Sequence, residues 1–163
     1  MGVGMGLKDI SLQNNYRDSG AIEYEWFKGK CEDRLRNFLM EIDDVLIPCL
    51  SERVNILEYA YKLNRYANNI FVSYKGVDVA GCSIYCNASK AFISSFAVKP
   101  EFMKQKIGSF MMQRVEEMAI CKGCESIRLE VFINNLPAIN FYEKCGFWCV
   151  KKNGLWIVME RAL

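Results

Sequence analysis

Leu129-Glu130-Val131-Phe132-Ile133-Asn134-Asn135-Leu136-Pro137-Ala138-Ile139-Asn140-Phe141-Tyr142-Glu143-Lys144-Cys145-Gly146-Phe147 is the stretch on which the reading of this chain turns. Its opening residues fall within Ile127 to Phe132, which predicts a strand. Pro137 to Cys145 reads as a helix, with Gly146 as its stop. Two strands follow, near Phe147–Lys151 and Leu155–Arg161.

Upstream lies another strand–helix step. Ala91 to Val98 predicts a strand closed by Pro100, and a helix then runs to about Lys122. Ile107, Met111, Val115 and Met118 share its buried face, and Gly123 ends it. Before that, Ile70–Tyr74 and Val77–Cys86 flank a tight Lys75-Gly76 turn, a hairpin pattern, and an Asn87–Lys90 turn leads onward. Two helices precede the hairpin. Leu35, Phe38, Leu39, Ile42 and Leu46 form one apolar stripe over Glu32–Leu46, which Pro48 stops. The second spans Ile56 to Ala67, capped by Asn55 with Glu58 three residues on. Ile22–Phe27 predicts a short first strand, and residues 1–20 a loosely ordered start. The order predicts an α/β (α+β) fold, a single domain over 1–163 with a central mixed, mainly antiparallel sheet and helices on both faces.

Composition narrows the chemistry. The chain has no histidine, which removes Ser-His-Asp and Cys-His catalysis and His-ligated zinc. Its 21 basic and 19 acidic residues are scattered, so no basic stripe points to nucleic acid. No apolar run is long enough to span a bilayer, and Met1 to Ile10 lacks a secretory h-region. The expectation is a cytoplasmic protein, without a membrane or nucleic-acid partner. Cys82, Cys86, Cys145 and Cys149 sit in apolar patterns and read as reduced, small hydrophobes. Cys121 and Cys124 form a lone CxxC, which reads as helix-end packing; no metal is expected. Gly2-Val3-Gly4-Met5-Gly6 lacks the strand and helix of a dinucleotide loop and reads as a flexible terminus.

Two segments carry chemistry. Phe96-Ala97-Val98 ends a strand before Pro100, and Met103-Lys104-Gln105-Lys106-Ile107-Gly108-Ser109 enters a helix. A helix N-terminus presents unpaired amides and a partial positive charge, suited to a phosphate group. Gly108 permits close backbone approach, and Lys104 and Lys106 add charge.

The second segment is the opening stretch, which reads LEV-x3-N-x2-A-x2-FY-x-K-x-GF. In that form it resembles the C-terminal signature of the GNAT acetyltransferases, a resemblance extending over roughly Ile70 to Leu163. What the resemblance implies is direct transfer of an acetyl group from acetyl-coenzyme A (acetyl-CoA) to a primary amine. The family's pyrophosphate loop, Gln/Arg-x-x-Gly-x-Gly/Ala, aligns with Met103-Lys104-Gln105-Lys106-Ile107-Gly108. Met103 replaces the Gln/Arg and Lys106 the first glycine, so only Gly108 is kept. The resemblance assigns Phe96, Ala97 and Val98 to a strand that splays from its neighbour and bonds the pantetheine arm, and Asn135 to coenzyme contact. It makes Tyr142 the general acid, since a phenol is protonated at neutral pH and can protonate the leaving thiolate. Glu130, twelve residues before Tyr142, becomes the base, at the spacing of the ribosomal-protein alanine N-acetyltransferases. Ser94 and Ser95 stand where many members place a base and could position a water. Glu41, Asp43 and Asp44 fall in a region that borders the acceptor cleft. Dimers are common in the family, which admits a homodimer. The altered loop also admits a second reading, a catalytically silent fold that binds an acyl-CoA or a protein partner.

Overall fold

The computed structural model describes residues 21–163. The expectations for residues 1–20, including the Gly2–Gly6 run, lie outside the described residues.

Seven strands form one sheet in the order β1-β2-β3-β4-β5-β7-β6. They are β1 (Ile22–Phe27), β2 (Asn68–Tyr74), β3 (Val77–Tyr85), β4 (Lys90–Val98), β5 (Ser126–Phe132), β6 (Trp148–Asn153) and β7 (Trp156–Ala162). Only the β4–β5 pairing is parallel. The sheet is therefore mixed and mainly antiparallel, as the element order predicts. Lys75 and Gly76, which join β2 to β3, both have positive φ, the conformation of a hairpin turn that follows the twist of its strands.

Helices cover both faces. On one side lie α1 (Glu32–Glu41) and α2 (Ile56–Tyr66), whose Leu35, Phe38, Leu39, Ala60 and Leu63 pack over Phe71 and Ala97. On the other lie α3 (Ile107–Cys121) and α4 (Leu136–Lys144). There Met111, Met112, Val115 and Tyr142 meet Ile70, Cys82, Ile93 and Leu129. Gly81 is mid-strand because the Phe38 ring occupies its side-chain space: a Cβ would lie 2.7 Å from Phe38 Cε1.

Three expectations are corrected. Helix α1 ends at Glu41 rather than Leu46. The Asp43 carboxylate accepts the Ser51 amide at 2.7 Å and the Asp43 carbonyl accepts the Leu50 amide at 3.2 Å, so a loop closes where another helical turn would have formed. A short 3-10 turn, Leu50–Glu52, leads into α2, where the Asn55 side chain caps the Glu58 amide at 3.1 Å as expected. Cys149 is exposed rather than packed, because β6 is an outer edge strand with every residue exposed. Cys121 is exposed too, whereas its CxxC partner Cys124 is buried and donates its thiol to the Ala88 carbonyl at 3.4 Å.

Candidate functional site

Strands β4 and β5 run together only from Lys90↔Ser126 to Ile93↔Leu129. Beyond that pair, β4 continues along β3 to Val98, while β5 continues along β7 to Phe132. A wedge therefore opens between Ser94–Val98 and Glu130–Phe132. Its local cause is a β-bulge. Ile84 pairs with Ile93 and Ser83 with Ser95, so Ser94 is an extra residue that bends β4. The Tyr59 hydroxyl on α2 donates to the Ser94 carbonyl at 2.9 Å and lies 2.7 Å from the Ser94 hydroxyl. Burial pushes the Tyr59 phenol up to about 12.

Tyr142 and Glu130 flank this wedge from opposite faces. Tyr142 is buried on the α3–α4 side, its ring 6.0 Å from Phe96, 5.4 Å from Phe141 and 5.8 Å from Phe147 between centroids. Desolvation, with smaller contributions from Cys82 and Cys145, raises its phenol well above the ordinary tyrosine range, so it is protonated at neutral pH. Among the described residues its hydroxyl has no hydrogen-bond partner. Glu130 is exposed and pairs with Val158 of β7. Its neighbours Leu129 and Val131 point into the α3–α4 core, so by strand alternation its carboxylate faces the α1–α2 side.

The phosphate-binding expectation falls on the turn into α3. After Val98 the chain makes a 3-10 turn, Pro100–Phe102, and then an exposed loop, Met103–Lys106. Lys104 and Lys106 both have left-handed φ, of 60° and 63°. Lys106 thus holds the conformation that favours glycine at its position, and it does so as the N-cap of α3 with no side-chain capping bond. The first helical bond runs from the Phe110 amide to the Lys106 carbonyl at 3.0 Å. The amides of Ile107, Gly108 and Ser109 precede it and have no partner within the helix. Gln105 folds back to donate to the Glu101 carbonyl at 3.2 Å. Three helix-end amides beside two exposed lysines suit a pyrophosphate in charge and donor number.

This turn is mechanically joined to Tyr142. A Cβ on Gly108 would meet the Phe141 ring at 3.2 Å and Val98 Cγ2 at 3.7 Å. Phe141 in turn packs on Phe96 at 5.5 Å and on Tyr142. At the other end of α4, the Arg161 guanidinium on β7 donates to the Cys145 carbonyl and pairs with Glu116 of α3. That clamp satisfies an end carbonyl of α4 and ties the helix to two neighbours. Desolvation raises the Cys145 thiol, which leaves it a poor nucleophile.

Other expected residues are partly committed elsewhere. The Asn135 side-chain oxygen accepts the Ala138 amide at 3.3 Å and caps α4, so only its NH2 end is left for a ligand. Glu41 pairs with Lys99, and the Asp43 carboxylate is held below its usual range by the Ser51 amide. The structure also adds residues that the sequence reading passed over. Tyr59 holds the bulge, and Arg53, at the end of the Leu50–Glu52 turn, places its guanidinium 5.2 Å over the Trp156 ring. Trp156 packs on Phe132 at 5.7 Å. The signals were slight: a serine pair mid-strand, and aromatic residues in a strand, where they are common.

Comparison with known proteins adds independent weight. The acetyltransferase (GNAT) family matches this sequence over residues 16–147. An N-alpha-acetyltransferase 30 of Dictyostelium discoideum is 28% identical over 138 residues, covering 82% of this chain and 71% of its own length. A putative [ribosomal protein bS18]-alanine N-acetyltransferase of Bacillus subtilis strain 168 is 30% identical over 83 residues, covering 51% of this chain and 55% of its own. Among solved structures, the PaiA N-acetyltransferase of Thermoplasma acidophilum in complex with coenzyme A superposes with a TM-score of 0.71 at 19% identity, covering 88% of this chain and 99% of the other.

Proposed function

This chain belongs to the acetyltransferase (GNAT) family, and from that premise we propose that it transfers an acetyl group from acetyl-CoA directly to a primary amine. The observation that carries the reading is the wedge where the β4–β5 ladder stops at Ile93↔Leu129, with Glu130 on one face and Tyr142 on the other. Bound acetyl-CoA supplies the thioester. The Ile107, Gly108 and Ser109 amides hold its pyrophosphate, with Lys104 and Lys106 adding charge and Met103 and Gln105 completing the loop. The Phe96–Val98 segment lines the wedge as an amide edge for the pantetheine arm, and the Asn135 NH2 contacts the same cofactor.

Within this reading the chemistry divides between the two faces. An amine arrives as ammonium and must lose a proton; Glu130, exposed to water, takes it directly or through a water. Amides at the edge of β4 stabilise negative charge that develops on the carbonyl oxygen. Tyr142, kept protonated by burial, donates to the departing thiolate. The names of the relatives, one an N-alpha-acetyltransferase and one a ribosomal-protein alanine N-acetyltransferase, support an amine acceptor. The left-handed φ kept at Lys106 supports an intact pyrophosphate turn and weighs against a silent fold.

The test pairs calorimetric titration of acetyl-CoA and coenzyme A with thiol release across a panel of amines. Saturable binding of both, with amine-dependent turnover, is the expected result. Binding without turnover on any amine would favour the silent module, and failure of either to bind would overturn the reading.

A further inference from the structure

Arg53 stands apart in its surroundings. Among the described residues, Arg34, Arg36, Arg114, Arg128 and Arg161 each have a carboxylate partner, and Arg65 has the Tyr61 hydroxyl. Arg53 has neither; its guanidinium lies over the Trp156 ring. The position of that ring is informative. Trp156 pairs with Phe132, and Val158 with Glu130, so Trp156 is the diagonal cross-strand neighbour of Glu130 on the same face. Such neighbours lie roughly 7–8 Å apart. Arg53 also acts electrostatically on Tyr59, whose hydroxyl holds the Ser94 bulge on the opposite bank of the wedge. The guanidinium thus sits on the α1–α2 side of the wedge, over a ring that neighbours Glu130 on the same face.

This side of the wedge carries both signs of charge, the Glu130 carboxylate and the Arg53 guanidinium. Glu41, one of the three carboxylates expected to draw a cationic acceptor, is paired with Lys99, whereas the Asp43 carboxylate accepts the Ser51 amide and stays ionised. An arrangement of that kind fits an acceptor that presents an ammonium to Glu130 and a negative charge of its own to Arg53. Stacking on an aromatic face holds the planar fork in place, which suits two-pronged recognition of a carboxylate.

We propose that Arg53 selects acceptors that carry a carboxylate close to the reacting amine. This rests on the acetyltransferase reading above and names the acceptor class for that site. The carboxylate belongs either to a free amino acid or to an acidic side chain beside a peptide N-terminus, and matched probes separate the two. One pair is L-lysine against L-lysinamide; the other is a tetrapeptide with Glu or Gln at its second position.

Kinetics with acetyl-CoA are measured on the wild-type chain, Arg53→Gln and Arg53→Lys. In the wild type, the acid member of at least one pair is expected to have a kcat/KM about ten- to a hundredfold higher, through KM. Arg53→Gln brings that ratio to about one, and Arg53→Lys restores part of it. A wild-type ratio near one for both pairs, or a ratio that survives in Arg53→Gln, would overturn the proposal. Calorimetric binding of the same probes to the coenzyme A complex is the second readout. If no probe is turned over, the acetyltransferase reading is decided by the wider amine panel, and the Arg53 proposal stands or falls on whether the acid probe binds more tightly and loses that advantage in Arg53→Gln. Arg53 is exposed, so both variants are expected to fold.

Discussion

Tyr142→Phe separates the chemistry of the site from its packing. The ring is buried against Phe96, Phe141 and Phe147, and all three contacts remain when the hydroxyl is removed. No described residue bonds that hydroxyl, so its loss strands no donor or acceptor and should shift stability by less than about 1 kcal/mol. Tyr142→Ala, which empties the nest, should cost about 3–5 kcal/mol. The kinetic cost is different in kind. A positioned general acid contributes about 10²- to 10⁴-fold, or roughly 3–5 kcal/mol of barrier. The expected outcome is a kcat down by that factor, with the acetyl-CoA dissociation constant within about twofold of wild type. Initial rates of thiol release measure the first, after correction for the exposed thiols of Cys121 and Cys149. Calorimetry measures the second, and thermal unfolding guards against a packing effect. A kcat within threefold of wild type would remove Tyr142 from the chemistry. A stability loss as large as that of Tyr142→Ala would show that the hydroxyl is bonded after all.

Glu130→Gln should lower kcat at least about 30-fold with acetyl-CoA binding unchanged, and, because the residue is exposed, with stability within about 0.5 kcal/mol of wild type; a rate that does not fall would exclude it as base. Lys106→Gly keeps the left-handed turn and should leave stability equal or up to about 1 kcal/mol higher, while acetyl-CoA affinity falls less than about fivefold and becomes less salt-dependent. A loss beyond about 50-fold would show that the lysine side chain, not the amides, holds the phosphate. Burial raises Tyr59 from 10.0 to about 12, so above pH 10 the native state keeps a proton that the unfolded chain gives up. Stability should be unaffected by this group below pH 10 and decline as the pH rises towards 12, with Tyr142 adding in the same direction; urea titrations at pH 8 and 11 check the sign.

Much of the architecture was legible from local pattern. Asn55 with Glu58, the Lys75-Gly76 turn and the Gly123 and Gly146 stops are short-range signals, and each appears where it is read. The failures also have local causes. The stripe through Ile42 and Leu46 mimics a longer helix, but Asp43 and Asp44 follow Glu41, and a carboxylate that can bond a distant amide competes with the helix. Cys149 and Val150 look like a buried strand because hydropathy does not say which strand is last in a sheet.

The candidate site divides along the same line. The order and spacing of Glu130, Asn135, Tyr142 and Gly146 are properties of the sequence, and from them follow the family resemblance and the identity of the acid and base candidates. Tertiary structure alone decides that the β4–β5 ladder ends at Ile93↔Leu129, since a ladder's length depends on a bulge in one strand and on what braces it. It alone brings Tyr59 of α2 onto Ser94 of β4, and Arg53 onto Trp156 of β7. These contacts join residues 35 and 103 positions apart, and no periodicity of 2 or 3.6 residues encodes such a meeting. Lys106 shows the same division at one position: its side chain departs from the expected glycine, while its backbone keeps the glycine conformation.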